Sequence, residues 1–307
     1  MLFRSALPAV AEPGAFPETL RAARARLEAA PSDVGAFWLE VQRDFPLESD
    51  WLNQDAGVPS CEAWLRGEAP GFERTLLESV AREVEAQDAG AALLAENPPA
   101  DDPRWLDVYV RLCAVRRRAR LEPLRAAWPR IVFTKHYALG GSHYAYTEDL
   151  SDTAYPERAN TNPDYRMGAS LCLLELAQDG TVAVEELLAA SEGLIRDPDV
   201  SYDGTRILFS MRRNNRDDDF HLYEMDVASR AVRQLTDGAG FADYEGVYLP
   251  SGGILFNSTR CIQIVDCWWT DVSNLYACDA DGGHIRRVTF DQVHTNFPTV
   301  CEDGRIL

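Results

Sequence analysis

The chain has 307 residues, of which 46% are hydrophobic and 26% charged, a composition typical of a globular protein with about two domains. Its net charge of -19 at pH 7 argues against nucleic-acid and anionic-membrane partners, because both require clusters of Lys and Arg. No stretch approaches the roughly 20 apolar residues of a membrane span, so no transmembrane helix is expected.

Residues 1–125 are predicted to form a helical N-terminal region, because their apolar residues recur at helical spacing. The predicted helices are 17–30, one from a Ser32-Asp33 cap through Arg43, one over about 73–96, and one that begins near Asp102. The last carries a basic stretch, 116–120. We expect this stretch to be a solvated face that pairs with nearby acids rather than a binding patch.

After Pro129 the period changes to short apolar or β-branched runs, and a repeat appears. The three copies are RDPDVSYDGTRILF (196–209), ADYEGVYLPSGGILF (242–256) and HTNFPTVCEDGRIL (294–307). Each copy has a short strand, a tight turn with glycine and an apolar strand. The turn glycines recur at intervals of roughly 50 residues, which is the length of a propeller blade.

Two more strands lie between successive copies, in FHLYEMDVASRAVRQLT (220–236) and NLYACDADGGHIRRVTF (274–290). Each unit therefore has four antiparallel strands, which is typical of a β-propeller blade. An open meander sheet is the alternative, and it would leave long strand edges exposed. The predicted fold is mainly β with an α-helical N-terminal region.

The β region, 126–307, is predicted to be a partial propeller with about two full blades and a partial blade at each end. The predicted blade parts are 131–187, 197–236, 245–290 and 297–307. The first part supplies three strands, without an evident innermost strand. Because a closed propeller needs at least about four blades, we expect the chain to be a fragment of a longer protein.

Propeller geometry places the long loops of successive blades at one end of the sheets, here called the loop end. Five segments belong to it: 137–167, 211–219, 237–244, 257–273 and 290–296. The opposite end receives only tight glycine turns. Functional residues are therefore expected at the loop end.

The repeat pattern DPDVSYDGTRILFS…HLYEMD…VRQLT resembles the propeller repeats of TolB-type proteins. The segments IVFTKHYALGGSHYAYTE and GGILFNSTRCIQIVDC…NLYACDADGGHIRRVTFDQVH resemble the propeller region of the hydrazine synthase alpha subunit and its relatives. The resemblance covers about 130–307. It implies a propeller whose c-type haems are carried by other domains of the intact protein.

The chain contains no CxxCH motif, so it has no site for covalent attachment of haem c. Synthesis of hydrazine is therefore not expected of this chain. No cofactor is expected in this chain, although haem c or Zn²⁺ is compatible with the intact parent protein. The resemblance also implies a metal ligated by a propeller cysteine, and Cys261 is the better candidate for that position.

Cys261 and Cys267 lie six residues apart in one loop. The spacing leaves three interpretations open: a disulfide in an oxidising compartment, two unconnected thiols, or ligation of a metal together with His294 or His143. A thiolate and imidazole set would suit Zn²⁺ or an ion close to a haem.

Aromatic and histidine side chains add further candidates for a ligand or partner surface. His143 and Tyr144 follow two glycines, which permit a close backbone approach. His143 serves either as a ligand or catalytic group, or as a hydrogen-bonded loop residue. Trp268 and Trp269 either line an apolar pocket or pack over the blade.

The run 217–219 places three carboxylates before His221. Such a run either binds Ca²⁺ or forms a salt-bridged loop with the preceding arginines, and the loop is favoured because consecutive side chains point in different directions. Asp219 and His221 are candidates for the partner surface.

No GxSxG, P-loop, HExxH or dinucleotide-binding motif occurs in the sequence, so an enzymatic role of this chain is left open. The first functional hypothesis is a scaffold and recognition module of an extracytoplasmic, for example periplasmic, protein, with its loop end facing a domain of the same or another chain. The alternative is the propeller portion of a multidomain haem-containing redox enzyme, with the loop end bordering a haem or metal site.

Overall fold

The computed structural model describes residues 15–84, 88–137, 168–178, 180–214, 217–264, 271–301 and 303–307. The chain divides into two compact units between Ala127 and Trp128. The first unit is helical and the second consists of antiparallel sheets.

The described part of the first unit has seven α-helices, with a 3-10 turn at Pro31–Asp33 between the first two. They are α1 (Ala15–Ala29), α2 (Val34–Asp44), α3 (Pro46–Asp55), α4 (Val58–Leu65), α5 (Phe72–Glu83), α6 (Asp88–Glu96) and α7 (Arg104–Ala127). The helix predicted over 73–96 is two helices, because the chain is extended at Val84. Helices α3 and α4 have no counterpart in the sequence prediction, and a proline stands in the first turn of each.

The basic stretch on α7 pairs with acids, but it is not wholly solvated as expected. Arg116 is buried, and its guanidinium donates two hydrogen bonds of 2.8 Å to Asp55, which also accepts a bond of 2.6 Å from the Tyr109 hydroxyl. Arg120 contacts Glu83 at 2.7 Å on the surface. The stretch therefore joins α7 to α3 and α5.

The second unit has eleven named strands among its described residues. They are β1 (Arg130–His136), β2 (Ala169–Leu176), β3 (Val182–Ala190), β4 (Leu194–Val200), β5 (Arg206–Arg212), β6 (His221–Asp226), β7 (Val232–Gln234), β8 (Asp243–Tyr248), β9 (Ile254–Ser258), β10 (Asn274–Cys278) and β11 (Arg286–Arg287). They form one three-stranded sheet, β1–β3, and two four-stranded sheets, β4–β7 and β8–β11. Every pair is antiparallel and follows chain order.

The three sheets stack face to face. The first strand of each four-stranded sheet packs on the first two strands of the sheet before it, β4 on β1 and β2, and β8 on β4 and β5. Side chains of β5 alternate accordingly: Ile207 and Phe209 join the core shared with the first sheet, and Leu208 joins the core shared with the third. This is the packing of propeller blades, and the predicted partial propeller is confirmed.

The third repeat copy continues the pattern as a short hairpin. Thr299 and Leu307 exchange two backbone hydrogen bonds of 3.0 Å, and Val300 pairs with Ile306. None of the helices in the described ranges is apolar over a length that would span a lipid bilayer.

A carboxylate of each of the first two repeat copies also bonds the next copy. Asp197, Glu245 and Phe297 each stand seven residues before a turn glycine and have φ of 54, 52 and 55°. The Glu245 N–H donates to Asp197 Oδ2 at 3.3 Å, and the Phe297 N–H donates to Glu245 Oε2 at 2.6 Å. These three residues form what we call the carboxylate ladder.

Candidate functional site

The loop end contains a fully buried carboxylate, Asp243, at the start of β8. Arg260 donates two hydrogen bonds to it, from Nε at 2.8 Å and from Nη2 at 2.7 Å. Ser258 adds a bond of 2.6 Å. His221 Nδ1 lies 3.4 Å from the same carboxylate. We call these four residues the Asp243 cluster.

Electrostatics in the Asp243 cluster favour the ionised carboxylate. Burial raises the pKa of Asp243, but the hydrogen bonds from His221 and Arg260 outweigh burial, so the net pKa lies below its usual value. The Arg260 guanidinium also stacks on the Phe241 ring, 4.0 Å from the ring centroid. The cluster therefore ties three loops together through one buried ion pair.

The second ring nitrogen of His221 holds a loop. Its Nε2 lies 2.9 Å from the carbonyl oxygen of Gly238, two residues after the threonine that ends the blade. In the next blade Asn274 occupies the equivalent position, and its Nδ2 donates to the Asp291 carbonyl oxygen at 3.2 Å. The same loop is thus fixed in both blades, and His221 performs this structural task with both nitrogens engaged in the protein.

Asp219 and its neighbours have separate partners. Asp219 is buried and accepts a bond of 2.8 Å from the Gly240 N–H. Asp218 accepts three bonds from Arg213, of 2.6, 3.1 and 3.0 Å. Burial raises the pKa of Asp218, but these bonds bring it below its usual value. This arrangement corresponds to the salt-bridged loop rather than to a shared Ca²⁺ site.

Cys261 and His294 both bond to one short segment, 272–274: Cys261 to its two end residues and His294 to the residue between them. The Cys261 thiol donates to the Val272 carbonyl oxygen at 3.0 Å, and Asn274 Nδ2 lies 3.9 Å from the sulfur. The Ser273 N–H donates to His294 Nδ1 at 3.3 Å. The structure thus brings these two predicted residues into one neighbourhood, here called the Cys261 cluster.

Burial governs both titratable groups of the Cys261 cluster. It raises the pKa of the Cys261 thiol and lowers the pKa of His294. Cys261 is therefore a thiol rather than a thiolate, and His294 favours the neutral ring. Neither state is that of a strong nucleophile or a cation.

The described residues do not provide a complete metal site. No group of three His, Cys, Asp or Glu side chains able to hold a metal ion occurs within them. Cys261 and His294 alone give two donors, and the Cys261 sulfur already bonds Val272. Five predicted candidates lie outside the described residues: His143, Tyr144, Cys267, Trp268 and Trp269. Their roles, and the disulfide between Cys261 and Cys267, stay predictions.

Four exposed apolar side chains lie close in the chain to Cys261 and His294. Ile262, Ile264, Phe290 and Val293 have exposed fractions of 72, 53, 75 and 64%. Arg287 connects their two loops, because its guanidinium lies 4.7 Å from the Phe290 ring centroid and donates to the Gln263 side chain at 3.2 Å. We call the four apolar residues the apolar rim.

The sequence does not point to Asp243, Arg260 or the apolar rim. Asp243 and Arg260 are 17 residues apart on different loops, so no local period connects them. The one available signal is that an arginine follows the second strand in both blades, as Arg213 and Arg260. Each of these arginines binds a buried aspartate.

No family model and no curated protein matches the chain. Among solved structures, TolB from Acinetobacter baumannii is 24% identical, with a TM-score of 0.34 over 45% of this chain and 31% of that one. A putative TolB from Agrobacterium tumefaciens is 21% identical, with a TM-score of 0.31 over 42% of this chain and 45% of that one. Kuenenia stuttgartiensis hydrazine synthase is 16% identical, with a TM-score of 0.41 over 58% and 27%.

The chain spans between 27% and 45% of the length of these three structures. They are similar to this chain only in part. The resemblance to TolB-type proteins and to hydrazine synthase, stated from the sequence, is confirmed.

Proposed function

We propose that the propeller unit is a scaffold and recognition module whose loop end binds a protein domain of the same or another chain. The observation that carries this proposal is the apolar rim, in which four large apolar side chains are more than half exposed. Contiguous exposed apolar surface bordered by polar groups is typical of interaction sites.

The two clusters support the same function by fixing the loops that carry the rim. The Asp243 cluster ties three loops together, and Cys261 and His294 both bond to the 272–274 segment. A preorganised surface loses less conformational entropy when a partner binds. The buried polar groups therefore act as supports, and the rim supplies the contact area.

Site-specific photocrosslinking in the producing cell tests the proposal. A benzophenone amino acid replaces Ile262 in one variant and Tyr202 in the matched control. Tyr202 is 69% exposed, but it lies at the tight-turn end of the sheets. We expect a defined crosslinked product from position 262, with its partner domain identified by mass spectrometry, and none from position 202.

A second arm measures the apolar contribution directly. The double substitution Ile264→Ser and Phe290→Ser removes two of the four rim side chains without touching either cluster. We expect it to reduce the crosslinking yield from position 262 at least about tenfold, since burial of each side chain is worth about 1.5–3 kcal/mol. Equal crosslinking at positions 262 and 202, or an unchanged yield in the double variant, contradicts the proposal.

A second candidate function is the propeller portion of a multidomain haem-containing redox enzyme, with the loop end bordering a haem or metal. The proximity of Cys261 and His294 at the 272–274 segment supports it. Metal analysis and a haem stain of the intact protein, with Cys261→Ser as the comparison, test it. Unchanged metal and haem content in the variant removes Cys261 from this role.

We also propose an extracytoplasmic location. The spacing of Cys261 and Cys267 supports it, because a disulfide between them requires an oxidising compartment. Thiol alkylation and mass spectrometry of protein taken directly from fractionated cells test this point. Protein found in the cytoplasmic fraction with both thiols alkylated contradicts it.

A further inference from the structure

The helical unit contains a buried acid that the proposed function does not use. Glu73 lies in the first turn of α5 and is only 4% exposed. The nearest cationic atom is Arg24 Nη1 on α1, at 4.0 Å, which is beyond hydrogen-bonding distance. A carboxyl group is thus buried without a close ion pair.

Arg24 is shared between two acids. Its Nε donates to Glu28 at 3.1 Å, while its guanidinium lies 5.8 Å from the centroid of the Trp64 ring on α4. Glu28 in turn lies against the turn between α4 and α5, since a Cβ added at Gly67 would be 3.1 Å from Glu28 Oε1. These contacts join α1 to that turn.

The Trp64 indole faces the same carboxyl. Its side chain lowers the pKa of Glu73, which places the indole near the carboxyl, but among the described residues its buried Nε1 makes no bond within hydrogen-bonding distance and angle. A buried donor without a partner is costly, and a small movement toward Glu73 would satisfy it. Trp64 is therefore placed to respond to the charge of this carboxyl.

We propose that Glu73 is a proton-operated latch, which directs Arg24 toward Glu28 when it is neutral and toward itself when it is ionised. Loss of the proton places a negative charge in the buried site and withdraws Arg24 from Glu28. Glu28, on the same helix as Arg24, is then left beside the Gly67 turn without its counter-ion. The buried negative charge costs more free energy than its pairing with Arg24 returns, so α1 is held less firmly on the helical unit.

The groups that face Glu73 set the pH at which the latch works. Burial raises the pKa of Glu73 to about 7, while Arg24 and Arg21 on α1 and the Trp64 indole lower it and Asp107 on α7 raises it. Arg21 is itself paired with Asp107 at 3.1 Å. Because the pKa of Glu73 is higher in the folded than in the unfolded protein, its neutral form stabilises the fold. This stability is complete below the unfolded pKa and is lost as pH rises through about 7.

Nuclear magnetic resonance of the 307-residue protein tests the first step. The Trp64 indole N–H resonance, assigned with Trp64→Phe, is followed from pH 5.5 to 8.5. We expect one titration with a midpoint near pH 7. It is abolished in Glu73→Gln and retained in Glu78→Gln, a control on the same helix whose side chain is 42% exposed and paired with Arg74.

Hydrogen exchange of α1, corrected for the intrinsic rate, tests the second step. We expect protection of α1 in the wild-type protein to fall about tenfold more between pH 6 and 8 than in Glu73→Gln, which corresponds to about one pKa unit. Arg24→Gln keeps the carboxyl and is expected to move the indole midpoint upward.

The outcomes separate clearly. An indole resonance that does not titrate in the wild-type protein, or that titrates unchanged in Glu73→Gln, overturns the proposal. So does a titration with no accompanying change in α1 protection. If Glu73→Gln does not fold, an upward midpoint in Arg24→Gln supports the proposal, and an unchanged midpoint overturns it.

Discussion

Replacing Asp243 by Asn keeps the size of the side chain but removes its charge. The Arg260 guanidinium then loses its ionic partner, and breaking a buried ion pair from one side costs about 3–5 kcal/mol. Arg260 keeps 21% side-chain exposure, the Phe241 ring and a bond of 3.2 Å to the Asp237 carbonyl oxygen. The expected loss is therefore at the lower limit, about 3 kcal/mol.

Hydrogen exchange measured by mass spectrometry reports this loss locally, in the β9 strand (Ile254–Ser258) that pairs with β8. A change of about 3 kcal/mol corresponds to exchange faster by somewhat more than a hundredfold. Local exchange is preferable to global unfolding, because the chain has two compact units that need not unfold together.

Glu185→Gln is the matched control for Asp243→Asn. Glu185 pairs with Arg230 at 3.1 Å, but the two side chains are 58 and 36% exposed. Its removal is expected to change stability by no more than about 0.5 kcal/mol. If Asp243→Asn accelerates β9 exchange no more than Glu185→Gln does, the buried pair does not hold the loop end, and the reasoning fails.

Three further predictions concern the β unit. Gly282→Ala is expected to destabilise it by more than about 3 kcal/mol, because an added Cβ overlaps the Leu235 carbonyl oxygen. Gly252→Ala, in open space at φ of 91°, is expected to cost only about 1–2 kcal/mol. Denaturant titrations measure both losses. Burial lowers the pKa of His294 in the folded protein, so its neutral ring is expected to contribute its full stability above about pH 6.5. This contribution is expected to fall as pH drops toward the lower folded pKa. Hydrogen exchange measured as a function of pH tests this, and a flat profile argues against it. Thr236→Val removes the acceptor of an internal backbone N–H 3.0 Å away and is expected to expose that amide to faster exchange, by about 1–3 kcal/mol.

The sheets are predictable from sequence because their turns are chemically marked. Gly204, Gly252 and Gly304 all have φ between 70 and 91°, a conformation that other residues rarely adopt. Each turn forces two apolar strands into a hairpin, and regular spacing makes the hairpins equivalent. The threonines that end the blades also recur for a physical reason, since Thr236 and Thr289 each accept an N–H from the neighbouring strand.

The helical unit is harder to predict, because short helices carry weak periodicity. Helices α3 and α4 have ten and eight residues, and their apolar residues do not complete a long stripe. The break at Val84 lies inside a run that remains amphipathic on both sides. Tertiary packing rather than local pattern decides these boundaries.

The candidate site is predictable in position but not in chemistry. Topology alone assigns Asp219, His221 and His294 to the loop end. Their hydrogen-bond partners depend on backbone atoms of other loops, such as the Gly240 N–H for Asp219, and no spacing rule encodes those contacts. Arg260 is missed for the same reason, since its partner is fixed only after the blades have stacked.

The carboxylate ladder gives the repeat a direction. In each step the carboxylate acceptor belongs to the earlier copy and the backbone N–H to the later one. Each blade thus supplies an acceptor to the blade after it and receives one from the blade before it. A blade moved to another place in a designed propeller would need the preceding blade to carry an acidic residue seven positions before its turn glycine. Shuffled repeats that meet this condition should keep their register, and those that place an apolar residue there should lose it.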